Sequence, residues 1–240
     1  MTIAEIYHIL DELAPFETQE AWDNSGLLVG DMGESFDKVY ASLDLDSKLV
    51  DSLEPNSLII THHPLIFKGL KRFDGTTYPS NLVKKLIQKE IKLISMHTNF
   101  DKHILNEYVA KEVLGYEIIS KDEFIVKMEA NMSFDALCKD IKAKFELKNL
   151  RVVKAKDEIK TVALCTGSGA DLIGTFEADC FITGDLKYHT ALESLENGLS
   201  LIDINHYESE LFFAKALAKN LQKKEIEVII TNSINPFRYI

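Results

Sequence analysis

Two of the seven histidines in this chain, His62 and His63, stand side by side after the apolar run LIIT and before Pro64. Two more close apolar runs: His97 follows IKLISM and precedes Asp101, and His206 ends LIDINH and precedes Glu210. Imidazole and carboxylate are the donor types that hold divalent transition metals. Neighbours in extended chain point to opposite sides, so His62 and His63 serve two ions more readily than they chelate one. His206 and Glu210, four apart where a helix begins, face one point a turn apart. His62, His63, Asp101, His206 and Glu210 are thus the candidate metal ligands. A closed structural zinc uses four donors, often with Cys, so this set suits two divalent ions, with Zn, Fe, Mn, Co and Ni all acceptable.

Two divalent cations bring four positive charges, of which two carboxylates offset half. The remainder attracts an anionic substrate, and Lys68, Lys71 and Arg72 in KGLKRF extend that positive locus as candidate phosphate contacts. His97 reads as a further ligand or as a group that orients one and moves protons. His189, in GDLKYH with Asp185, is a candidate proton donor, although Asp185 also suits a plain helix start. The run WDNSG from Trp22 is a binding loop or a turn. TGSGA from Thr166 resembles a phosphate loop until Leu172, which stands where a third glycine belongs, so a tight strand-to-helix turn is its reading.

The elements that must carry these groups follow from periodicity. Thr2 with Glu5 forms a capping-box pair, and Ile3, Ile6, Leu10 and Leu13 repeat at helical spacing until Pro15. KVYASLDL, SLIITHHP and IKLISM read as strands separated by helical KLVDSLEP and NLVKKLIQKE, and ILNEYVAKEVLG as a helix ending at Gly115. Beyond it come strand EFIVKME, helix DALCKDIKAKF, strands LRVVKA, TVALC, ADCFITG and LIDIN, and a long helix from Ser209. The fold class is α/β: two α/β domains with mixed, mostly parallel sheets flanked by helices. Residues 1–116 with 197–240 form the metal-binding domain and 117–196 a smaller inserted one. Ligands in such sheets collect at the C-terminal ends of strands.

Composition narrows the partners. In 240 residues 38 acids face 27 bases, a net charge of −11, and the arginines are Arg72, Arg151 and Arg238, which is a poor grip for nucleic acid. No apolar run approaches the ~18 residues of a membrane helix, and Glu5, Asp11 and Glu12 spoil a secretory leader. Cys138, Cys165 and Cys180 lack paired spacing, which places the chain in the reducing cytoplasm.

Taken together, WDNSGLLVGD, THHPLIFKG, SMHTNFDKH, ITGDLKYH and DINHYESE resemble, in order and over most of the chain, the dinuclear-metal family of GTP cyclohydrolase I type 2 homologues. The resemblance implies a metal pair in the cleft between the two domains, a ring-shaped homohexamer, the same five ligands with His97 beside them, and a metal-dependent hydrolase. In the cyclohydrolase version metal-activated hydroxide attacks C8 of the guanine ring of GTP and formate leaves. The chain departs in carrying Asn205 where members usually have Gly, in a Gly-poor stretch after Asp101, and in lacking the extra domain of longer members. The alternatives are a hydrolase of another phosphorylated small molecule and a non-enzymatic protein that binds metal or docks partners.

Overall fold

Thr2 starts the first helix, Ile3–Leu13. Its hydroxyl accepts from the Glu5 amide, the Glu5 carboxylate accepts from the Thr2 amide, and Ile3, Ile6 and Leu10 are fully buried. The structure, a computed structural model, describes residues 1–238. Its strands are β1 (Gly26–Val29), β2 (Val39–Ser42), β3 (Leu58–Thr61), β4 (Lys92–Ser95), β5 (Ile118–Asp122), β6 (Ile125–Ser133), β7 (Arg151–Val153), β8 (Glu158–Leu164), β9 (Cys180–Thr183), β10 (Ser200–Asp203) and β11 (Ile229–Ile230).

They fall into two compact units with one sheet each, residues 1–100 with 213–238 and Asp101–Phe212. Segments 101–116 and 197–212, expected in the first unit, lie in the second. The reason is bonding. Strand β10 pairs with β9 and β7, and Asn106 accepts at Oδ1 from the amide and hydroxyl of Thr166.

The first sheet has the order β1-β4-β3-β2-β11, with β11, β2, β3 and β4 parallel and β1 antiparallel at the edge. Leu58, Ile59 and Ile60 of β3 are fully buried, which is why LIIT reads as a continuous apolar run rather than an alternation. Register pairs Ser42 with Thr61 and Thr61 with Ser95. The strands therefore end level, and Asp44, His62, His63 and His97 all lie just beyond that line.

The second sheet has the order β5-β6-β8-β9-β10-β7. Strands β8, β9 and β10 are parallel, but β5–β6, β6–β8 and β10–β7 are antiparallel, so this sheet is mixed rather than mostly parallel. Strands β5 and β6 form a tight hairpin through Glu123, at φ +48, and a connection that short permits only antiparallel pairing. Thr183 pairs with Asp203, which again ends the parallel strands level, just before Asp185 and His206.

The helix expected over ILNEYVAKEVLG is built of π turns Asp101–Leu105 and Val109–Leu114 around an α turn Asn106–Tyr108, and Gly115 ends it at φ +66. The long helix expected from Ser209 is two helices, His206–Glu210 and Phe213–Gln222. Consecutive phenylalanines separate them: Phe212 packs on Phe145 in the second unit, and Phe213 on Phe100 in the first. Among the described residues no helix is long and apolar enough to cross a membrane.

Candidate metal centre

In the first unit three imidazoles gather where β3 and β4 end. His62 is fully buried and its Nδ1 donates to the Met96 carbonyl at 2.9 Å. His63 Nδ1 meets Asp44 Oδ1 at 2.7 Å, and His97 Nδ1 meets Asp23 Oδ1 at 2.8 Å. A neutral imidazole that gives its Nδ1 proton to an oxygen carries its lone pair on Nε2, the usual arrangement of a metal-bound histidine. The ligand atoms of His62, His63 and His97 all lie within 4.8 Å of one another. Phe213 stacks obliquely on His62 at 5.0 Å between centroids, an apolar wall that keeps the ring in place.

Asp23 is bound into this corner as firmly as the histidines. Burial opposes its charge, but hydrogen bonds from His97, the Thr98 hydroxyl and the Asn24 amide outweigh that and hold its carboxyl well below the usual carboxylate range. The WDNSG run is therefore tied to the end of β4, and Ser25 Oγ also accepts from the His97 amide at 3.1 Å.

The second unit repeats the device. His206 Nδ1 meets Asp185 Oδ2 at 2.7 Å and its Nε2 lies 3.1 Å from Glu210 Oε2, so the four-residue spacing does place both on one face. Asp101 and Glu210 are both buried, with carboxylate oxygens within 4.8 Å of each other. Asp185 and Asn205 have φ of +57 and +61, left-handed backbone that favours glycine, which accounts for the Gly that the sequence resemblance sets at position 205. Buried Asp203 accepts from the Arg151 guanidinium and from the Leu186 and Asn205 amides, fixing both turns.

TGSGA is a turn, and it fits closely. Gly167 has φ +64, its amide donates to Ser209 Oγ at 2.8 Å, and a Cβ there would lie 2.1 Å from Glu210 Oε1. Of the other expected site residues, Lys68, Lys71 and Arg72 are exposed between β3 and the helix Ser80–Gln88. His189 is exposed on the helix Tyr188–Glu196 with its ring edge-on to Tyr188 at 5.2 Å, apart from the clustered donors. Sequence reasoning missed Asp44 and Asp23. Asp44 follows β2 by two residues as His63 follows β3, a signal that was present, whereas nothing near Asp23 points to a histidine 74 residues away.

The profile of the family described as Duf34/NIF3 (NGG1p interacting factor 3) matches residues 1–236. The chain belongs to the Duf34/NIF3 family. This Duf34/NIF3 chain is 53% identical over 240 residues, all of both chains, to a Campylobacter jejuni protein named GTP cyclohydrolase 1 type 2 homolog. It is 44% identical, over 99% of each chain, to a Helicobacter pylori protein named GTP cyclohydrolase 1 type 2. Among solved structures, Staphylococcus aureus protein SA1388 superposes with TM-score 0.87 at 30% identity, covering 100% of this chain and 99% of that one. Reduced HcgD from Methanocaldococcus jannaschii gives TM-score 0.79 at 27% identity, covering 96% and 97%. The resemblance read from the five motifs and the two mixed sheets flanked by helices therefore both stand.

The donor chemistry fits divalent metal. Each clustered imidazole is anchored through Nδ1, which is what a ligating Nε2 requires, and two buried carboxylates so close together repel unless positive charge offsets them.

Proposed function

We propose that this Duf34/NIF3 protein is a metal-dependent hydrolase with two divalent ions per chain, held by His62, His63, Asp101, His206 and Glu210 with His97 beside them. The observation that carries the reading is the anchoring of Nδ1 at each of these four histidines, by Met96 O, Asp44, Asp23 and Asp185. Neutral imidazoles add no charge, so Asp101 and Glu210 offset only part of the ions' charge and the site remains attractive to anions. Bound divalent cations would supply Lewis-acid polarisation of the substrate and a water of lowered pKa.

The chain's own groups do the rest. Lys68, Lys71 and Arg72 hold the anionic end of the substrate, and exposed His189 exchanges protons with solvent. His97, with Nδ1 committed to Asp23, serves better as a ligand than as a proton carrier. The names of the relatives favour GTP as the substrate, and in this reading it is opened at C8 of the guanine with release of formate. The homohexameric ring implied by the resemblance and a cytoplasmic setting belong to the same reading.

Elemental analysis of protein purified without chelator is expected to give close to two metals per chain, and the metal-loaded protein to release formate from GTP. One ion per chain with metal in excess ends the dinuclear reading. Two ions without formate, but with hydrolysis in a panel of other phosphorylated small molecules, end the cyclohydrolase reading and keep the hydrolase. Two ions without turnover of any of these leave a metal carrier.

A further inference from the structure

Trp22 and Phe67 are large apolar rings left in solvent, 59% and 40% exposed. They are neighbours within the first unit, with ring centroids 5.9 Å apart and planes tilted by 55°. Both stand edge-on to one imidazole, His97, at 6.1 and 6.2 Å. His97 in turn lies 5.1 Å from His62 and 5.4 Å from His63, so the aromatic pair forms a rim on the three-histidine group.

The rim is held in place. The Asn24 side-chain amide donates to the carbonyl of Ile66, tying the residue two past Trp22 to the one before Phe67. Asp23, next to Trp22, is clamped by His97 and the Thr98 amide. Rings fixed by their backbones lose little conformational freedom when something covers them, which is the property of a stacking surface. A 55° tilt rules out a parallel sandwich between the two. A flat ligand instead lies on the open face of one ring with its edge toward the other, the two geometries aromatic rings prefer. Beyond Phe67 the chain runs directly into exposed Lys68, Lys71 and Arg72, which gives an anionic tail on such a ligand something to meet.

We propose that Trp22 and Phe67 are the stacking subsite for a planar heteroaromatic ring, a purine or pteridine, carried by the substrate, and so determine which substrates the site accepts. The proposal deepens the hydrolase reading and rests on it for the chemistry beside the subsite, but ring binding itself needs no metal. It assigns a role to WDNSG, whose acid orients His97 while its tryptophan meets the ligand.

Trp22 is the sole tryptophan, so the emission of the full-length protein reports on this spot alone. Titrations use metal-loaded and chelator-treated protein with guanosine, GTP and inorganic tripolyphosphate as probes. Guanosine and GTP are expected to quench saturably in both forms, and tripolyphosphate not to. By equilibrium dialysis, Phe67→Leu and Trp22→Ala are expected to weaken guanosine binding roughly ten-fold, the usual weight of one base-stacking contact, with Trp22→Phe restoring most of it. Metal content and Tm are expected to stay at parent values. Absence of saturable quenching by guanosine and GTP overturns the proposal, as does parent-like guanosine binding by both Phe67→Leu and Trp22→Ala. A fall in oligomer mass in these variants with ring binding intact assigns the pair to an interface between copies and overturns it as well. Fewer than two metals per chain with guanosine quenching retained removes the dinuclear reading and leaves the subsite standing.

Discussion

At the scale of single residues, what fits these histidines to hold a metal is the partner on the far side of each ring. An imidazole free to rotate spends most of its time misdirected, and a carboxylate on Nδ1 removes that freedom while raising the basicity of Nε2. Asp185→Asn keeps the shape and drops the charge, and is expected to lower metal affinity roughly 10- to 100-fold, read by competition with a chromophoric chelator. Glu210→Ala, which deletes a buried donor, is expected to lose metal outright, whereas His8→Ala, at an exposed residue paired with Glu12, keeps the parent's metal content. Parent affinity in Asp185→Asn would remove Asp185 from the site.

At the scale of elements, both units use the same construction. Neighbouring parallel strands end level or within one residue, and the residues just past their ends carry the imidazoles and the carboxylates that anchor them: β2, β3 and β4 precede Asp44, His62 with His63, and His97, while β9 and β10 precede Asp185 and His206. The third strand of the second unit, β8, contributes space in place of a donor, because Gly167 lets Glu210 come against the turn. Gly167→Ala is expected to displace the Glu210 carboxylate and to lose metal to the same degree as Glu210→Ala, with strain from its φ of +64 lowering stability by about 1–2 kcal/mol. Gly174 also has positive φ, at +97, but nothing lies within 4 Å of a Cβ there. Gly174→Ala is therefore expected to lower Tm and keep its metal, and metal analysis beside thermal melts of the two variants separates strain from displacement. Equal metal content in both would refute the close fit.

At the scale of the whole molecule, the second unit carries acids that burial holds in their neutral form. Burial pushes the Cys138 thiol up to about 11, raises Cys180 well above its ordinary value, and with the hydrogen bond to Asp140 raises the Tyr116 hydroxyl. For such groups the unfolded chain gives up protons first, so their contribution is intact below the unfolded pKa and is lost as pH rises toward the folded one. The window opens near the ordinary thiol value of 9.0, and Tm is expected to fall steadily from there toward pH of about 11. Cys138→Ala is expected to flatten that slope. A Tm that stays constant across the window, or a slope that Cys138→Ala leaves as it was, would show that these groups titrate alike in both states.

The sequence by itself determined the candidate donors, because the chemistry lies in residue type and in position relative to apolar runs that end in His, Asp or Glu. It likewise determined the first helix, through the capping pair Thr2 and Glu5 three residues apart, and the strand status of LIIT, through its short apolar run. Local patterns of that kind extend over a few residues and need no partner. What the tertiary structure decided lies across longer separations: Asp23 on His97, Asn106 on Thr166, and the short β1, whose only strand partner in the described residues is β4. It decided the unit boundaries too, since β10 goes with the strands it bonds, and it broke the C-terminal helix where Phe212 and Phe213 pack in different units. Hydrogen-bond register and burial select those partners from the whole chain, and no spacing along the sequence encodes them.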